Sequence, residues 1–248
     1  MRRFFVDPEN IVGPLAYLTG SEARHISTVL RLAIGTTITL FDGSGSYYEA
    51  LLTKITPGRA EAKIVSITPY IEASEDIRPA LHLGLGLLKG KKMDFIIQKI
   101  TELGIDSLRP FRSQYCAAHA PAAGRFSRWH KIAVAACKQC NRPKPPSLHD
   151  VTGFKELLSH AGKDEHDLKL IFWEEERQKP LQEILGSVRD IKSALVLIGP
   201  EGGFSSGEAA HAIAAGYQPV TLGSRILRAE TAAIAAASIL QHKLGNLT

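Results

Sequence analysis

The stretch Leu197-Ile198-Gly199-Pro200-Glu201-Gly202-Gly203-Phe204-Ser205-Ser206-Gly207-Glu208 carries the most information in the chain. The apolar run Ala194 to Ile198 reads as a buried strand, a glycine-rich turn follows, and a helix opens. Ser205 and Glu208 have the S-x-x-E spacing of a capping box, which fixes where that helix begins. Strand, glycine turn, helix is the repeating unit of a parallel α/β sheet. Glycines let a ligand approach the backbone, and free N–H groups at the turn can donate to it. The same residues also suit a tight strand–helix turn that binds nothing.

A second stretch repeats the pattern. Val220-Thr221-Leu222 ends in Gly223, and Ser224-Arg225-Ile226-Leu227-Arg228-Ala229-Glu230 leads into an alanine-rich helix. Ligands of open α/β sheets sit outside the carboxyl ends of the strands. Two glycine turns after two strands can therefore line one pocket. Arg225 and Arg228 can hold an acidic group there or make ordinary surface salt bridges.

Working outward, Leu81 to Leu85, Leu168 to Trp173, Ala194 to Ile198 and Pro219 to Leu222 read as short apolar strands. Met93, Ile96, Ile97, Ile100 and Leu103 form an apolar stripe at helical spacing, closed by Gly104. Further helices are predicted at Arg125 to Gln139, Ser206 to Ala215 and Ala229 to Leu244. The N-terminal part differs. Arg3 to Val6, Thr36 to Phe41, Tyr47 to Ile55 and Ala60 to Thr68 read as strands, with Asp42-Gly43-Ser44-Gly45 as a hairpin turn. One helix is predicted there from Ser21 as N-cap to about Arg31, with Ala23, Ile26, Val29 and Leu30 on its apolar face. Several short strands suggest a small barrel. Pro69 to Pro79 lacks apolar periodicity, and the domain boundary falls within it: 1–72 as the barrel, 73–248 as the α/β domain.

Composition narrows the class. Over 248 residues, 44% are hydrophobic and 22% charged, which excludes wholesale disorder. No apolar run approaches the roughly 20 residues of a membrane span, and MRRFFVDPEN has no signal-peptide core. The protein is expected to be cytoplasmic, with no membrane partner. Residues 78–145 hold thirteen Lys/Arg against three Asp/Glu. Such a stretch suits a polyanionic partner or a solvated face. Tyr115 and Trp129 lie within it and can stack bases or fill a core.

Three near-motifs occur in the chain. Gly203-Phe204-Ser205-Ser206-Gly207 has the G-x-S-x-G form of a hydrolase elbow, but Pro200 to Phe204 separate Ser205 from its strand, and Ser205 is better used as a cap. Gly84-Leu85-Gly86-Leu87-Leu88-Lys89-Gly90-Lys91-Lys92 fails the phosphate-loop spacing. Cys116, His119, Cys137 and Cys140 have a zinc-like spacing, but Cys137 and Cys140 fall on a helical run, and no metal is expected.

Taken together, LIGPEGGFSSGEA and LGSRILRAETA resemble the paired cofactor-binding signatures of the SPOUT methyltransferases. The chain is most similar to their small-subunit ribosomal RNA uridine-N3 methyltransferase family. MRRFFV, KKMDFIIQKITELG and QCNR at Gln139 to Arg142 extend the resemblance over essentially the whole chain. It implies a SPOUT-type α/β domain with a deep trefoil knot, preceded by a small PUA-like β-barrel, in a homodimer. It also implies S-adenosyl-L-methionine held by three loops: Phe172 and Trp173; Ile198, Gly199, Pro200, Glu201 and Gly202; and Leu222, Gly223, Ile226, Leu227 and Arg228. Under that reading the substrate is N3 of a uridine in 16S ribosomal RNA. Arg228 is the expected catalytic cation and Glu230 a base or orienting group, unless the two pair with each other. Arg2, Arg3, Lys92, Arg112 and Arg142 are expected phosphate contacts. The alternatives are a non-catalytic RNA-binding or ribosome-assembly factor and a SPOUT enzyme acting on another nucleotide.

Overall fold

A computed structural model describes residues 2–69, 78–118, 124–161 and 166–247. The expected boundary at 72/73 and the candidate ligand His119 lie outside them. The chain forms two compact units, Met1–Ala73 with Val134–Pro145, and Ser74–Ala133 with Pro146–Thr248.

The first unit is one six-stranded sheet. Its elements are β1 (Arg3–Phe5), β2 (Ile11–Val12), β3 (Leu15–Thr19), α1 (Gly20–Arg24), β4 (Thr37–Phe41), β5 (Ser46–Thr56) and β6 (Arg59–Pro69). The strand order is β1-β4-β5-β6-β3-β2, antiparallel except where β1 runs alongside β4. The expected hairpin turn joins β4 to β5: Asp42 Oδ1 accepts the Ser44 N–H, and the Tyr48 hydroxyl donates to Asp42 Oδ2. Burial and the Asp42 carboxylate push the Tyr48 phenol up to about 12. Alternate residues of four strands, Ala16, Leu18, Ile38, Leu40, Ala50, Leu52, Ala60 and Ala62, meet Phe4 and Ile26 in the core.

The predicted helix here is different in detail. Thr19, not Ser21, precedes its first turn, and no side chain caps it. After Arg24 it widens into a π-turn over His25–Val29. That change of period carries Val29 and Leu30 into solvent and leaves Ala23 and Ile26 buried.

The second unit is a parallel sheet. In chain order its elements are β7 (Ala80–Gly86), α2 (Lys92–Glu102), β8 (Ser107–Arg112), α3 (Arg125–Cys140), β9 (Ser147–Leu148), β10 (Thr152–Gly153), α4 (Phe154–Ala161), β11 (Leu168–Phe172), α5 (Leu181–Ser187), β12 (Ser193–Ile198), α6 (Ser206–Ala214), β13 (Gln218–Val220) and α7 (Ala229–Lys243). The order is β10-β8-β7-β12-β11-β13, with β9 beside the start of β8. β12 therefore enters between two strands that precede it in sequence. Its side chains alternate between two cores. Ala194, Val196 and Ile198 join the α2 and α7 layer, and Leu195 and Leu197 join Phe154, Leu157, Phe204 and Ala212 on the other face. Met93, Ile96, Ile97 and Ile100 are all buried, each worth about 1.5–3 kcal/mol. Gly104, at φ +77°, ends that helix as its spacing predicts.

Trp129 is fully buried and packs edge-on to Phe126, so it belongs to the core and offers no face to a base. The last turns of α3 belong to the first unit, where Val134 and Cys137 bury against Phe41. Helical periodicity marks an apolar stripe without naming its partner. The stripe therefore does not assign residues 134–145 to the first unit, and a boundary at 72/73 places them with the α/β domain.

Candidate active site

Register places the loop-bearing ends of the strands side by side. Phe172 pairs with Ile198 on one side and Val220 on the other, and Ile198 pairs with Leu85. The three predicted loops thus leave β11, β12 and β13 at one level of the sheet, the usual ligand position in this architecture.

The turn after β12 is packed closely at three points, although Glu201 and Gly202 remain exposed. Gly203 N–H donates to Pro200 O at 2.9 Å, and Gly203 takes φ +69°, which favours glycine. A Cβ on Gly86 of β7 would overlap the Pro200 backbone, and one on Gly203 would overlap the Glu174 carboxylate. At Gly202 a Cβ would come within 2.7 Å of Tyr115 Cβ. Beyond the turn the capping box is complete. Ser205 Oγ accepts from Glu208 N–H, Ser205 N–H donates to Glu208 Oε2, and Glu208 Oε1 also accepts Gln114 N–H at 2.7 Å. Ser205 is buried and committed to the helix, which removes the hydrolase reading.

The loop after β13 is open. Thr221 Oγ1 accepts Gly223 N–H and donates to Gly223 O, while Gly223 takes φ +114° with nothing within 4 Å of where a Cβ would be. Ser224, Arg225 and Arg228 are exposed, Leu222 and Leu227 are half-buried, and Ile226 is 87% exposed. By contrast Phe172 and Ile198 lie in the core with α2 and α7, and Trp173 is partly buried against the core on the other face of the sheet.

Charges distribute differently from expectation. Lys92 Nζ lies 3.0 Å from Glu201 Oε1 and 3.5 Å from Glu230 Oε2, and the Lys89 N–H also donates to Glu201 Oε1. Hydrogen bonding to Glu201 raises the Lys92 pKa, and although partial burial opposes ionisation of Glu201, its own backbone N–H and Lys92 hold it below its ordinary value. Arg228 and Glu230 make no ion pair with each other among the described residues. Lys92 sits between two carboxylates, a poor position for a phosphate. Arg2 and Arg112 are exposed, Arg3 donates to Asn141 Oδ1 and lies over the Tyr47 ring, and Arg142 also belongs to the first unit.

Sequence reasoning did not find the contacts that Glu174, Tyr115, Gln114 and Gly86 make here. Glu174 is an exposed residue, and partial burial of its carboxyl together with Glu175 raises its pKa. Its one signal is its place just past an apolar strand; Tyr115 stands out only as an aromatic in the basic stretch. Burial raises the Cys137 thiol to about 12, and Cys116 Sγ lies 3.4 Å from Leu87 O. Among the described residues no three His, Cys, Asp or Glu side chains are grouped to hold a metal, and no helix is long and apolar enough to cross a membrane.

Residues 76–241 match the family described as RNA methyltransferase domain, and residues 18–65 match RNA methyltransferase PUA domain. The chain is similar to the crystal structure of a Ribosomal RNA small subunit methyltransferase E from Neisseria gonorrhoeae bound to S-adenosyl methionine. That match has a TM-score of 0.81 at 35% identity, over 98% of this chain and 97% of the other. It is also similar to the Ribosomal RNA small subunit methyltransferase E of Bacillus subtilis, 28% identical over 98% of this chain and 97% of that protein. That of Buchnera aphidicola (subsp. Schizaphis graminum) is 30% identical over 93% and 92%. The chain belongs to the RNA methyltransferase family that includes the Ribosomal RNA small subunit methyltransferase E proteins.

Proposed function

We propose that this protein methylates N3 of a uridine in 16S ribosomal RNA, using S-adenosyl-L-methionine held by the loops after β11, β12 and β13. The observation that carries the reading is the alignment of those three loops at adjacent parallel strand ends, one rigid and one open. The residues fit such a cofactor. The open space at Gly223 and the uncovered Ile226 side chain offer a backbone approach and an apolar wall, with Leu222 and Leu227 beside them.

When bound, the cofactor supplies a methyl group already activated on a sulfonium. The chain must position the acceptor and handle one proton. Arg228, exposed and without an ion pair among the described residues, faces no competitor for the negative charge that develops on the uracil oxygens. Glu230 Oε2 is buried, 3.5 Å from the Lys92 ammonium, and it receives the N3 proton directly or orients the base. The first unit docks RNA, with Arg2, Arg3 and Arg142 near phosphate, and Arg112 does the same at the end of β8. The placement of β12 between β7 and β11 supports a deep trefoil knot, and the N-terminal sheet supports a PUA-like barrel. A homodimer in the cytoplasm completes the proposal, a second copy covering part of the exposed loop.

The test is calorimetric titration with S-adenosylmethionine, followed by mass spectrometry of 16S RNA incubated with the protein. Binding and a single N3-methyluridine support the reading. Salt-dependent RNA binding with neither cofactor binding nor product would replace it with an RNA-binding factor.

A further inference from the structure

We propose that Lys92 is a positioning residue of this site: by bridging Glu201 and Glu230 it ties the glycine turn after β12 to the start of α7. The inference rests on the function proposed above and deepens it.

Three segments converge on this one ammonium. Lys92 opens α2, Glu201 sits inside the clamped turn, and Glu230 lies in the first turn of α7, two residues past Arg228. Lys92 Nζ is 3.0 Å from Glu201 Oε1 and 3.5 Å from Glu230 Oε2, and the same Glu201 oxygen accepts the Lys89 N–H at 3.1 Å. Glu201 is therefore held twice from the β7–α2 connection. Glu230 Oε2 is buried and is held from the same side by the Lys92 ammonium. One cation serving two carboxylates has little field left for a phosphate. It does set the distance between the rigid turn and the helix start that carries Arg228 and Glu230. Without it, two carboxylates would face each other and part. Arg228 is exposed and is not ion-paired to either, and the Lys89 and Lys91 side chains are exposed.

The experiment compares wild type with Lys92→Met, Lys92→Arg, Glu230→Gln and the Lys92→Met/Glu230→Gln double variant. For Lys92→Met we expect kcat to fall about 10- to 100-fold while cofactor Kd and RNA Kd each change by less than about threefold. Lys92→Arg should restore most of the rate, since a guanidinium can span both carboxylates. The double variant should be little worse than either single one. In carboxyl-carbon NMR titrations the Glu201 midpoint should rise in Lys92→Met, a readout independent of turnover. An unmoved midpoint would overturn the proposal even if wild type proves inactive, an outcome that separately rejects the proposed function. Weaker RNA binding with a flatter salt dependence and unchanged kcat would make Lys92 a phosphate contact instead. Lost cofactor binding with no rescue by arginine would reduce it to a fold residue.

Discussion

Two glycine loops leave neighbouring regions of one sheet, yet they are built on opposite principles. The turn Gly199–Gly203 is closely packed: Gly86 admits the Pro200 backbone, Gly202 admits Tyr115, and Gly203 admits Glu174. The loop Leu222–Arg228 is bare. A Cβ on Gly223 would meet nothing within 4 Å, and Ile226 is 87% exposed. Glycine in the first loop serves close packing within the chain. In the second it serves a backbone angle, φ +114°, and leaves a surface for something else to cover. A site made of one fixed wall and one uncovered wall is preorganised without being already filled.

The strongest challenge to this contrast is Gly202→Trp. Its Cβ alone would intrude on Tyr115, so we expect cofactor affinity to fall at least about 100-fold by calorimetry, with a melting temperature several degrees lower. Undiminished binding would mean that the first loop is not a fixed wall. Next comes a pair of size series, read by urea unfolding. Gly86→Ala should cost about 1–3 kcal/mol and Gly86→Val more, because bulk is the problem there. Gly223→Ala and Gly223→Val should cost about 1 kcal/mol each, because only the backbone angle is at stake. Equal size dependence at both positions would erase the distinction.

Ile226→Ala separates stability from binding. Stability should stay within about 0.5 kcal/mol of wild type, while cofactor affinity drops about tenfold if the side chain forms the apolar wall. The smallest effect concerns acid. Glu201 has a folded pKa below its ordinary 4.5, despite the opposing effect of burial, because its own backbone N–H, Lys92 and the Lys89 N–H favour its charge. Its contribution is therefore present above pH 4.5 and lost as pH falls through the lowered value. Melting temperatures of wild type and Glu201→Gln should differ near neutrality and converge below pH 4.5. A constant gap down to pH 3 would show that the clamp does not depend on this charge.

Much of this was legible from residue order. The S-x-x-E cap, the Gly104 stop, the Asp42 turn and the stripe from Met93 to Ile100 are local patterns, each decided by neighbours within a few residues. Other elements escaped notice for local reasons too. β8 contains Pro110 between Arg109 and Phe111, and a proline argues against an interior strand until its partner β7 is seen at Leu85. Phe154, Leu157 and Leu158 form a helical stripe too short to stand out. Of the site, the three loops could be read, but their contacts could not. Lys92 was expected to meet phosphate and meets Glu201 and Glu230; Trp129 was open to stacking and is core.

The glycines of Gly84-Leu85-Gly86 mark the division most clearly. In sequence they imitate a phosphate loop and fail its spacing. In the fold, a Cβ on Gly84 would overlap Leu197, and one on Gly86 would overlap Pro200. Both neighbours lie on or just past β12, more than a hundred residues away in the chain. Turns, caps and helical stripes follow from sterics and hydrogen bonds between near neighbours, so a linear reading recovers them. Which strand slides between which others depends on contacts closed across the whole chain. So does the identity of the carboxylate that meets a given ammonium, because burial and pairing are set by elements that meet only once packed.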